Sequence, residues 1–374
     1  MQHIHQVNLQ PIVGGGEVYT RSFTRALADA GARVTLYAHA GNRFWDTLAG
    51  ERIERVAIAS EEEFLSRLPG ERAIVLTQGP ISRSGVKRIA EKHFVAGVAH
   101  LPIQGGRDAE EFRPYHMVLG VSRYCIDLLR RARLDQTYPE PMYGVADAAR
   151  GDPAALITAA SPYQWDRRKG RDRLLGLFEP LAVAVKPRAV FERKSGLTLG
   201  IVSLIVPIKQ FPLLFSHVGH ILARHEINLE IFGAGGYAQV RDLKRTLAPM
   251  SSRVRFWGYQ ENVAAIYPKL DYLLTGLPEK EALGLNVLEA QICGTPVLAP
   301  RAPPFTETVL EGKTGLLYRD PREDAGADFE NVIANILKNE RRLDPRVARD
   351  HLAQFSYPAL VQRAARLLAQ SPFL

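Results

Sequence analysis

Cysteine is scarce in this sequence: Cys125 and Cys293 are the only two among 374 residues. They stand far apart and in no metal-binding spacing, which excludes a disulfide framework and a zinc site. No apolar run approaches the length of about eighteen residues that a transmembrane helix needs, and the N-terminus lacks the basic and apolar regions of a signal peptide. We therefore expect a cytoplasmic protein in a reducing environment.

Several catalytic signatures are also missing. The absence of Asp-x-Asp disfavours the metal-dependent sugar-transfer fold, and the absence of Gly-x-Ser-x-Gly argues against an α/β-hydrolase. No paired-cysteine or His-Glu-x-x-His spacing indicates a bound metal, so we expect none. The Gly-Lys-Thr at residues 312–314 is not a P-loop, because Glu307 stands where the earlier glycine of that loop is required.

The charge balance is basic, with 48 lysines and arginines against 40 acidic residues and a formal net charge of +8. This balance suits nucleotide phosphates, nucleic acid or an anionic membrane surface. Arginines cluster at Arg130, Arg131 and Arg133 and again within residues 167–173, where a solvated helix face is the favoured interpretation. No nucleic-acid module is recognisable, so we expect no nucleic-acid partner and leave open a peripheral contact with the inner face of the membrane.

The length predicts two domains, and both halves alternate apolar strands with amphipathic helices. Such alternation is typical of a parallel sheet with helices on both faces. In the first half we predict a helix at 17–30 and strands at 4–9, 33–38, 73–77, 95–99 and 117–121. In the second half we predict helices at 213–223, 238–247 and 285–292 and strands at 197–206, 229–232, 254–257, 272–275 and 296–299.

The fold class that follows is α/β, with two Rossmann-like doubly wound domains facing each other across a cleft. We assign residues 1–190 to the first domain and a proline-rich linker, and residues 191–350 to the second domain. Residues 351–374 are predicted to form a C-terminal helix that packs back on the first domain. Ligands of open α/β sheets bind beyond the carboxyl ends of the strands, so the cleft is the expected site.

Two glutamates, Glu281 and Glu289, lie on either side of a predicted helix start. A carboxylate and the exposed N–H groups of a helix start can together bind a polar, partly anionic ligand. A carboxylate also offers two oxygens to the paired hydroxyls of a ribose. The spacing alone is equally consistent with two unrelated surface glutamates.

The segment 281–290, Glu-Ala-Leu-Gly-Leu-Asn-Val-Leu-Glu-Ala, resembles the E-x7-E motif of retaining GT-B glycosyltransferases of glycosyltransferase family 4, the group 1 type. The following Gly294-Thr295-Pro296-Val297, Glu307 and the stretch 311–317 also fit that family. The resemblance implies a metal-independent GT-B enzyme without a cofactor. Such an enzyme moves a sugar from a nucleoside-diphosphate sugar, its co-substrate, to a glycan or lipid-linked acceptor, as in cell-envelope polysaccharide synthesis.

The resemblance also assigns roles to residues of the motif. In the family the first glutamate contacts the donor sugar and the second holds the nucleotide ribose, which implies these roles for Glu281 and Glu289. The backbone groups expected to face the sugar and the diphosphate belong to Leu283, Gly284, Leu285 and Asn286.

A lysine, Lys209, follows the first predicted strand of the second domain. A lysine there can neutralise a diphosphate leaving group, although a solvated loop lysine is the simpler interpretation. The family usually carries an arginine beside this lysine, and Leu204 occupies that position here. Loss of one such contact costs about 2–4 kcal/mol of transition-state stabilisation. A catalytically weakened GT-B protein that binds a nucleotide sugar or a partner enzyme therefore stays as an alternative.

The first domain and the segment after Trp257 supply the remaining candidates. The triplet of Gly14, Gly15 and Gly16 resembles the family's glycine loop beside the donor phosphates, whereas alone it fits a plain tight turn. His100 ends a predicted strand, and family members carry a histidine near the donor sugar at this place; a hydrogen-bonded structural histidine is the alternative. Tyr259 belongs to a segment that borders the nucleotide base in the family.

Overall fold

A computed structural model describes residues 2–103, 109–146, 151–165, 170, 176, 189–339 and 342–370. The chain divides into two compact units. The first unit comprises residues 1–145 and 353–374, and the second unit comprises residues 146–352. The arginines of the predicted cluster at 167–173 lie outside the described residues.

The first unit is built on a six-stranded parallel sheet with the order β3-β2-β1-β4-β5-β6. The central strand β1 begins with His3 opposite Arg33 of β2, and its apolar side chains Ile4 and Val7 are fully buried. The strands are β1 (His3–Asn8), β2 (Arg33–His39), β3 (Ile53–Ile58), β4 (Ile74–Thr77), β5 (Phe94–Ala99) and β6 (Met117–Gly120). The helices between them are α1 (Gly15–Asp29), α2 (Glu61–Ser66), α3 (Arg83–Ala90) and α4 (Arg123–Arg131), with 3-10 turns at Arg43–Thr47 and Ala109–Glu111.

The second unit repeats this plan with the strand order β12-β11-β10-β7-β8-β9. Its strands are β7 (Thr198–Val202), β8 (Asn228–Phe232), β9 (Val254–Gly258), β10 (Tyr272–Leu274), β11 (Val297–Pro300) and β12 (Gly315–Tyr318). Its helices are α5 (Phe211–Arg224), α6 (Tyr237–Thr246), α7 (Leu285–Ile292), α8 (Phe305–Thr308), α9 (Pro321–Asp324) and α10 (Ala327–Lys338). Single 3-10 turns lie at Pro207–Lys209, Ala248–Arg253, Val263–Ala265, Tyr267–Lys269 and Pro345–Val347.

The chain ends with α11 (Arg349–Ala353) and α12 (Tyr357–Leu368). Helix α12 packs against α1 within the first unit. The Tyr357 hydroxyl donates to Asp29 at 2.6 Å, and Arg366 Nε donates to Glu140 at 2.9 Å. Within the described ranges, every helix is too short or too polar to cross a lipid bilayer.

The two parallel sheets confirm the predicted fold class, and the predicted helix at 285–292 coincides with α7. The predicted strand at 197–206 is too long, because β7 ends at Val202. The next residues leave the sheet to pair with a glycine turn, with Ile205 N donating to the Ala234 carbonyl at 2.9 Å. A Cβ at Gly233 would lie only 1.8 Å from the Ser203 carbonyl oxygen, so this backbone approach requires glycine.

The boundary between the units also differs from the predicted one at residue 190. The described part of the segment that follows residue 146 packs on the second sheet. Ala160 N donates to the Trp257 carbonyl at 2.9 Å, and Gln164 N donates to the Gly235 carbonyl at 2.8 Å. Proline-rich composition indicated a linker, but Ile157 is buried in the core of the second unit. The edge strands β3 and β12 were not predicted.

Candidate functional site

Lys209 and Glu281 form an ion pair at the carboxyl edge of the second sheet. Lys209 ends the 3-10 turn after β7, and Glu281 lies in the loop between β10 and α7. The strands β7 and β10 are neighbours in space, and the strand order reverses between them. The loops that follow them therefore meet at the switch point of the sheet, the usual ligand position in such folds. The two side chains are 23% and 17% exposed, so they are only partly accessible to solvent.

The backbone of Lys209 is held in place by its neighbours. Gly276 follows β10, and a Cβ at this position would lie 2.2 Å from the Lys209 carbonyl oxygen. Gln210, with a φ of 53°, is the residue that caps the start of α5, and its side chain hydrogen-bonds Glu279. The pKa of Glu279 is lowered, chiefly by its hydrogen bond to Arg322. These contacts fix the loop after β7 against the loop after β10.

The start of α7 presents backbone N–H groups at the same edge. Gly284 caps the helix with left-handed dihedrals of 81° and 71°, which favour glycine. The first N–H group of the helix to donate to the Gly284 carbonyl is that of Val287, at 3.0 Å. The N–H groups of Leu285 and Asn286 therefore come before the first hydrogen bond within the helix. The Asn286 side chain donates to the Val202 carbonyl at 3.1 Å and so ties the helix start to the end of β7. Leu283 is buried, which leaves only its backbone for a ligand.

Glu289 lies further along α7 and accepts a hydrogen bond of 2.9 Å from the Tyr267 hydroxyl. Tyr259 is 57% exposed, and its pKa is raised by partial burial and by the charges of Glu261 and Glu289. Burial, followed by the Glu289 charge, raises the pKa of Cys293 to about 11, so this thiol stays protonated at neutral pH. The negative charge of Glu289 therefore helps to raise the pKa values of both Tyr259 and Cys293.

Leu204, which occupies the place of the expected arginine, lies half-buried between β7 and the Lys209 turn. A leucine supplies no charge at this position. Lys209 is consequently the basic side chain that this loop contributes to the edge of the sheet.

In the first unit, the glycine triplet begins a helix. Gly14 caps α1, and its N–H donates to the Glu17 carboxylate at 2.8 Å. Glu17 is 5% exposed, and burial raises its pKa. Gly16 is open: a Cβ placed there would have no heavy atom within 4 Å. The triplet therefore leaves space for a close approach at Gly16, while Gly14 is already bonded.

His100 follows β5, at the carboxyl edge of the first sheet. Its ring meets the Tyr19 ring edge-on, with the centroids 5.0 Å apart. The Tyr19 hydroxyl donates to the Met142 carbonyl at 2.9 Å. The candidate residues thus fall into two groups: Gly14 to Gly16 and His100 belong to the first unit, and the other predicted residues belong to the second.

Sequence reasoning missed three contributions to these groups. Tyr267 binds Glu289, the Asn286 side chain holds the end of β7, and Glu17 occupies the start of α1. Asn286 was predicted for its backbone alone. The Tyr267 contact joins positions that are distant along the chain and share no motif spacing, so no sequence signal indicated it.

Comparison with known proteins identifies the second unit. Residues 196–339 match the family described as "Glycosyl transferases group 1", and this range includes Lys209, Glu281 and Glu289. These residues of the second unit are therefore similar to a group 1 glycosyl transferase domain. The family predicted from the E-x7-E motif is thereby confirmed at the level of group 1.

Two curated relatives bear the name D-inositol 3-phosphate glycosyltransferase. The protein of Mycolicibacterium vanbaalenii is 34% identical over 132 residues, which cover 33% of this chain and 28% of that protein. The protein of Stackebrandtia nassauensis is 29% identical over 296 residues, which cover 74% of this chain and 61% of that protein. The matched segments therefore span less than two thirds of the length of these relatives.

A solved structure agrees with the fold along the whole chain. The crystal structure of Anabaena HepE in complex with UDP-glucose aligns with a TM-score of 0.70 over 99% of this chain and 100% of that one. Sequence identity is 16%, so the similarity establishes the GT-B fold alone.

Proposed function

We propose that this chain is a glycosyltransferase that takes its sugar from a nucleoside-diphosphate sugar, the donor. The observation that carries the proposal is the Lys209–Glu281 ion pair beside the start of α7, at the switch point of the second sheet. The matched group 1 domain and the names of the relatives support it.

Each part of the second unit's site has a counterpart in such a donor. The Lys209 ammonium neutralises the diphosphate, and the N–H groups at the start of α7 bind its oxygens. The Glu289 carboxylate accepts the two ribose hydroxyls, and Tyr259 borders the base. Glu281 fixes the lysine and contacts the donor sugar.

The proposed reaction keeps the anomeric configuration of the sugar. In this scheme the leaving diphosphate accepts the proton of the acceptor hydroxyl on the same face, so catalysis depends on positioning and on stabilising phosphate charge. Lys209 supplies that stabilisation, since negative charge grows on the leaving diphosphate as the glycosidic bond breaks. The predicted roles of His100 and of Gly14 to Gly16 near the donor, and the predicted independence from a metal, are parts of this proposal.

For the acceptor we propose a glycan or lipid-linked saccharide of cell-envelope synthesis, reached from the cytoplasmic side with the net positive charge favouring a peripheral membrane contact. The names of the relatives add D-inositol 3-phosphate as a soluble acceptor to examine.

The test is a turnover assay with radiolabelled UDP-, GDP- and ADP-sugars, with and without acceptors, in the presence of EDTA. We expect transfer or slow hydrolysis of one donor, and product with retained configuration by NMR. Consumption of none of the donors by a protein that binds none of them would contradict the proposal.

Donor binding is tested separately with Glu289→Ala. Removing the carboxylate that accepts the ribose hydroxyls should lower donor affinity about tenfold, since hydrogen bonds to charged groups contribute about 1.5–3 kcal/mol. Calorimetry with the donor selected above measures the change. Unchanged affinity would remove Glu289 from the site.

Leu204 favours a second candidate function, a GT-B protein that binds a nucleotide sugar with little turnover. Binding by calorimetry without turnover would support this candidate. Leu204→Arg then offers a direct test, because a restored charge beside Lys209 should raise turnover if that charge is what limits the reaction. An unchanged rate in a folded variant would assign the slow turnover to another cause.

A further inference from the structure

Tyr267 is a fully buried tyrosine. Its hydroxyl and its backbone carbonyl both form hydrogen bonds with residues in or just after α7. Its ring is 0% exposed, and its hydroxyl donates to Glu289 at 2.9 Å. At the other end, its carbonyl accepts a bond of 2.5 Å from the hydroxyl of Thr295, which follows α7. The side chain therefore bridges the core and the carboxylate with little freedom to move.

The phenol acts on the carboxylate as a donor. Burial, reinforced by the Glu289 charge, raises the pKa of Tyr267 well above its usual value, so the hydroxyl keeps its proton. A phenol donating to one carboxylate oxygen restricts the rotation of that group. The carboxylate has about four lone-pair positions in all, and the bond from the phenol occupies one of them.

We propose that Tyr267 is a positioning residue that orients the Glu289 carboxylate toward the ribose hydroxyls of the donor nucleotide. The inference rests on the proposed function and adds a residue that no motif of the sequence indicated. Tyr267 itself does not touch the substrate and acts through Glu289.

A purely structural role predicts a different outcome. Tyr267 belongs to a buried cluster with Ile266, Leu270 and Val287, so its hydroxyl could simply need an acceptor inside the core. In that case removing the hydroxyl would affect all nucleotides alike. In the positioning role, the effect depends on whether the ligand has ribose hydroxyls.

The experiment is calorimetry with Tyr267→Phe, which keeps the ring and removes the hydroxyl. The probe is whichever of UDP, GDP and ADP the wild type binds most tightly, together with its 2′,3′-dideoxy analogue. We expect Tyr267→Phe to weaken the ribonucleotide about three- to tenfold, the effect of one hydrogen bond, and to leave the dideoxy analogue unchanged. The KM for the donor should rise by a similar factor with little change in kcat.

Two further variants sharpen the result. The double variant Tyr267→Phe with Glu289→Gln should bind no more weakly than Glu289→Gln alone, because both changes act on one contact. Tyr318→Phe is the matched control: Tyr318 is also fully buried in the second unit, and within the described residues its hydroxyl has no hydrogen-bond partner. It should leave both affinities unchanged.

Equal weakening of both ligands by Tyr267→Phe, or no weakening of either, would overturn the positioning role. The comparison is made within one protein, so a general loss of stability affects both ligands and cannot imitate the expected difference. If Glu289→Gln instead binds the ribonucleotide with the same affinity as the wild type, the assignment of Glu289 to the ribose in the proposed function would be overturned. In that case Tyr267→Phe would also change the affinities for the ribonucleotide and for the dideoxy analogue by the same factor.

Discussion

The two units share one topology but use it differently. In each unit the strand order reverses between the first and the fourth strand, β1 with β4 and β7 with β10. After β1 the chain enters α1 through glycines, and the buried Glu17 already binds Gly14 N–H. After β7 a short turn instead presents Lys209, paired with Glu281. The loop after the first strand thus allows a ligand to approach the backbone closely in the first unit, whereas in the second unit it carries a charged side chain.

Under the proposed function, the charge of the donor is bound in the second unit. A diphosphate needs a cation and N–H donors, and both lie at the edge of the second sheet. The first unit has an open backbone position at Gly16 and the ring of His100 at the edge of its own sheet. Substitutions in the two units should therefore differ in size and in kind.

The largest effect is expected from Lys209→Ala. Loss of the charge that stabilises the leaving diphosphate should lower kcat/KM by about 10²–10³, as for other removed transition-state contacts. Steady-state kinetics with the selected donor measures it. Lys313→Ala, at an exposed lysine of the second unit, is the control and should retain wild-type activity. If Lys209→Ala lowers kcat/KM by less than about threefold, Lys209 does not stabilise the leaving diphosphate, and the proposed role of the second unit would be wrong.

A second contrast concerns acid stability. The buried histidines of the described chain, His5 and His93, both belong to the first unit. The pKa of His5 is lowered to about 4, chiefly by burial and then by the neighbouring His3 and His93. The folded state therefore favours the neutral ring. The stabilisation is complete above the ordinary histidine pKa near 6.5 and is lost as the pH falls from about 6.5 toward about 4.

We expect the first unit to lose on the order of 2 kcal/mol over this pH range, ahead of the second unit. Hydrogen exchange resolved by peptide at pH 7, 5.5 and 4.5 measures each unit separately. His5→Gln should reduce the pH dependence in the first unit, and His220→Gln, at an exposed histidine of the second unit, should not. If protection from hydrogen exchange falls equally in both units as the pH is lowered, the two units do not differ in acid stability.

The smallest effect is expected from Gly16→Ala. A Cβ at this helical position meets no heavy atom, so the substitution should stabilise the first unit by about 0.5–1 kcal/mol through helix propensity. If a ligand approaches the backbone here, activity should fall despite the higher stability. Thermal melting and kinetics measure the two quantities.

The matched control is Gly219→Ala in α5, where an added Cβ also meets nothing. It should stabilise the second unit with unchanged activity. Unchanged activity in both glycine variants would show that Gly16 does not approach the donor.

The sequence predicted the fold well wherever strands are buried and helices amphipathic. Strands such as β5, with apolar residues throughout, and helices such as α7 were found within a residue or two. The edge strand β3 was not predicted because the adjacent charged residues Glu54 and Arg55 interrupt its apolar pattern. The boundary at residue 190 failed because proline-rich composition does not reveal that a segment packs on a core, as Ile157 does.

The site was predictable as far as its motif extends. Glu281, Glu289 and Lys209 were proposed from spacing and resemblance, and in the structure Lys209 contacts Glu281. Contacts between distant positions were not predictable, because they depend on how α7 packs against the 3-10 turn that carries Tyr267. A single sequence contains no periodicity that joins those two elements.

The most direct test of the donor site is a crystal structure with the nucleoside diphosphate that the chain binds most tightly. We predict phosphate oxygens within hydrogen-bond distance of Lys209 Nζ and of the N–H groups of Leu285 and Asn286, with the ribose hydroxyls on Glu289. A nucleotide bound away from these residues in the second unit would contradict the account.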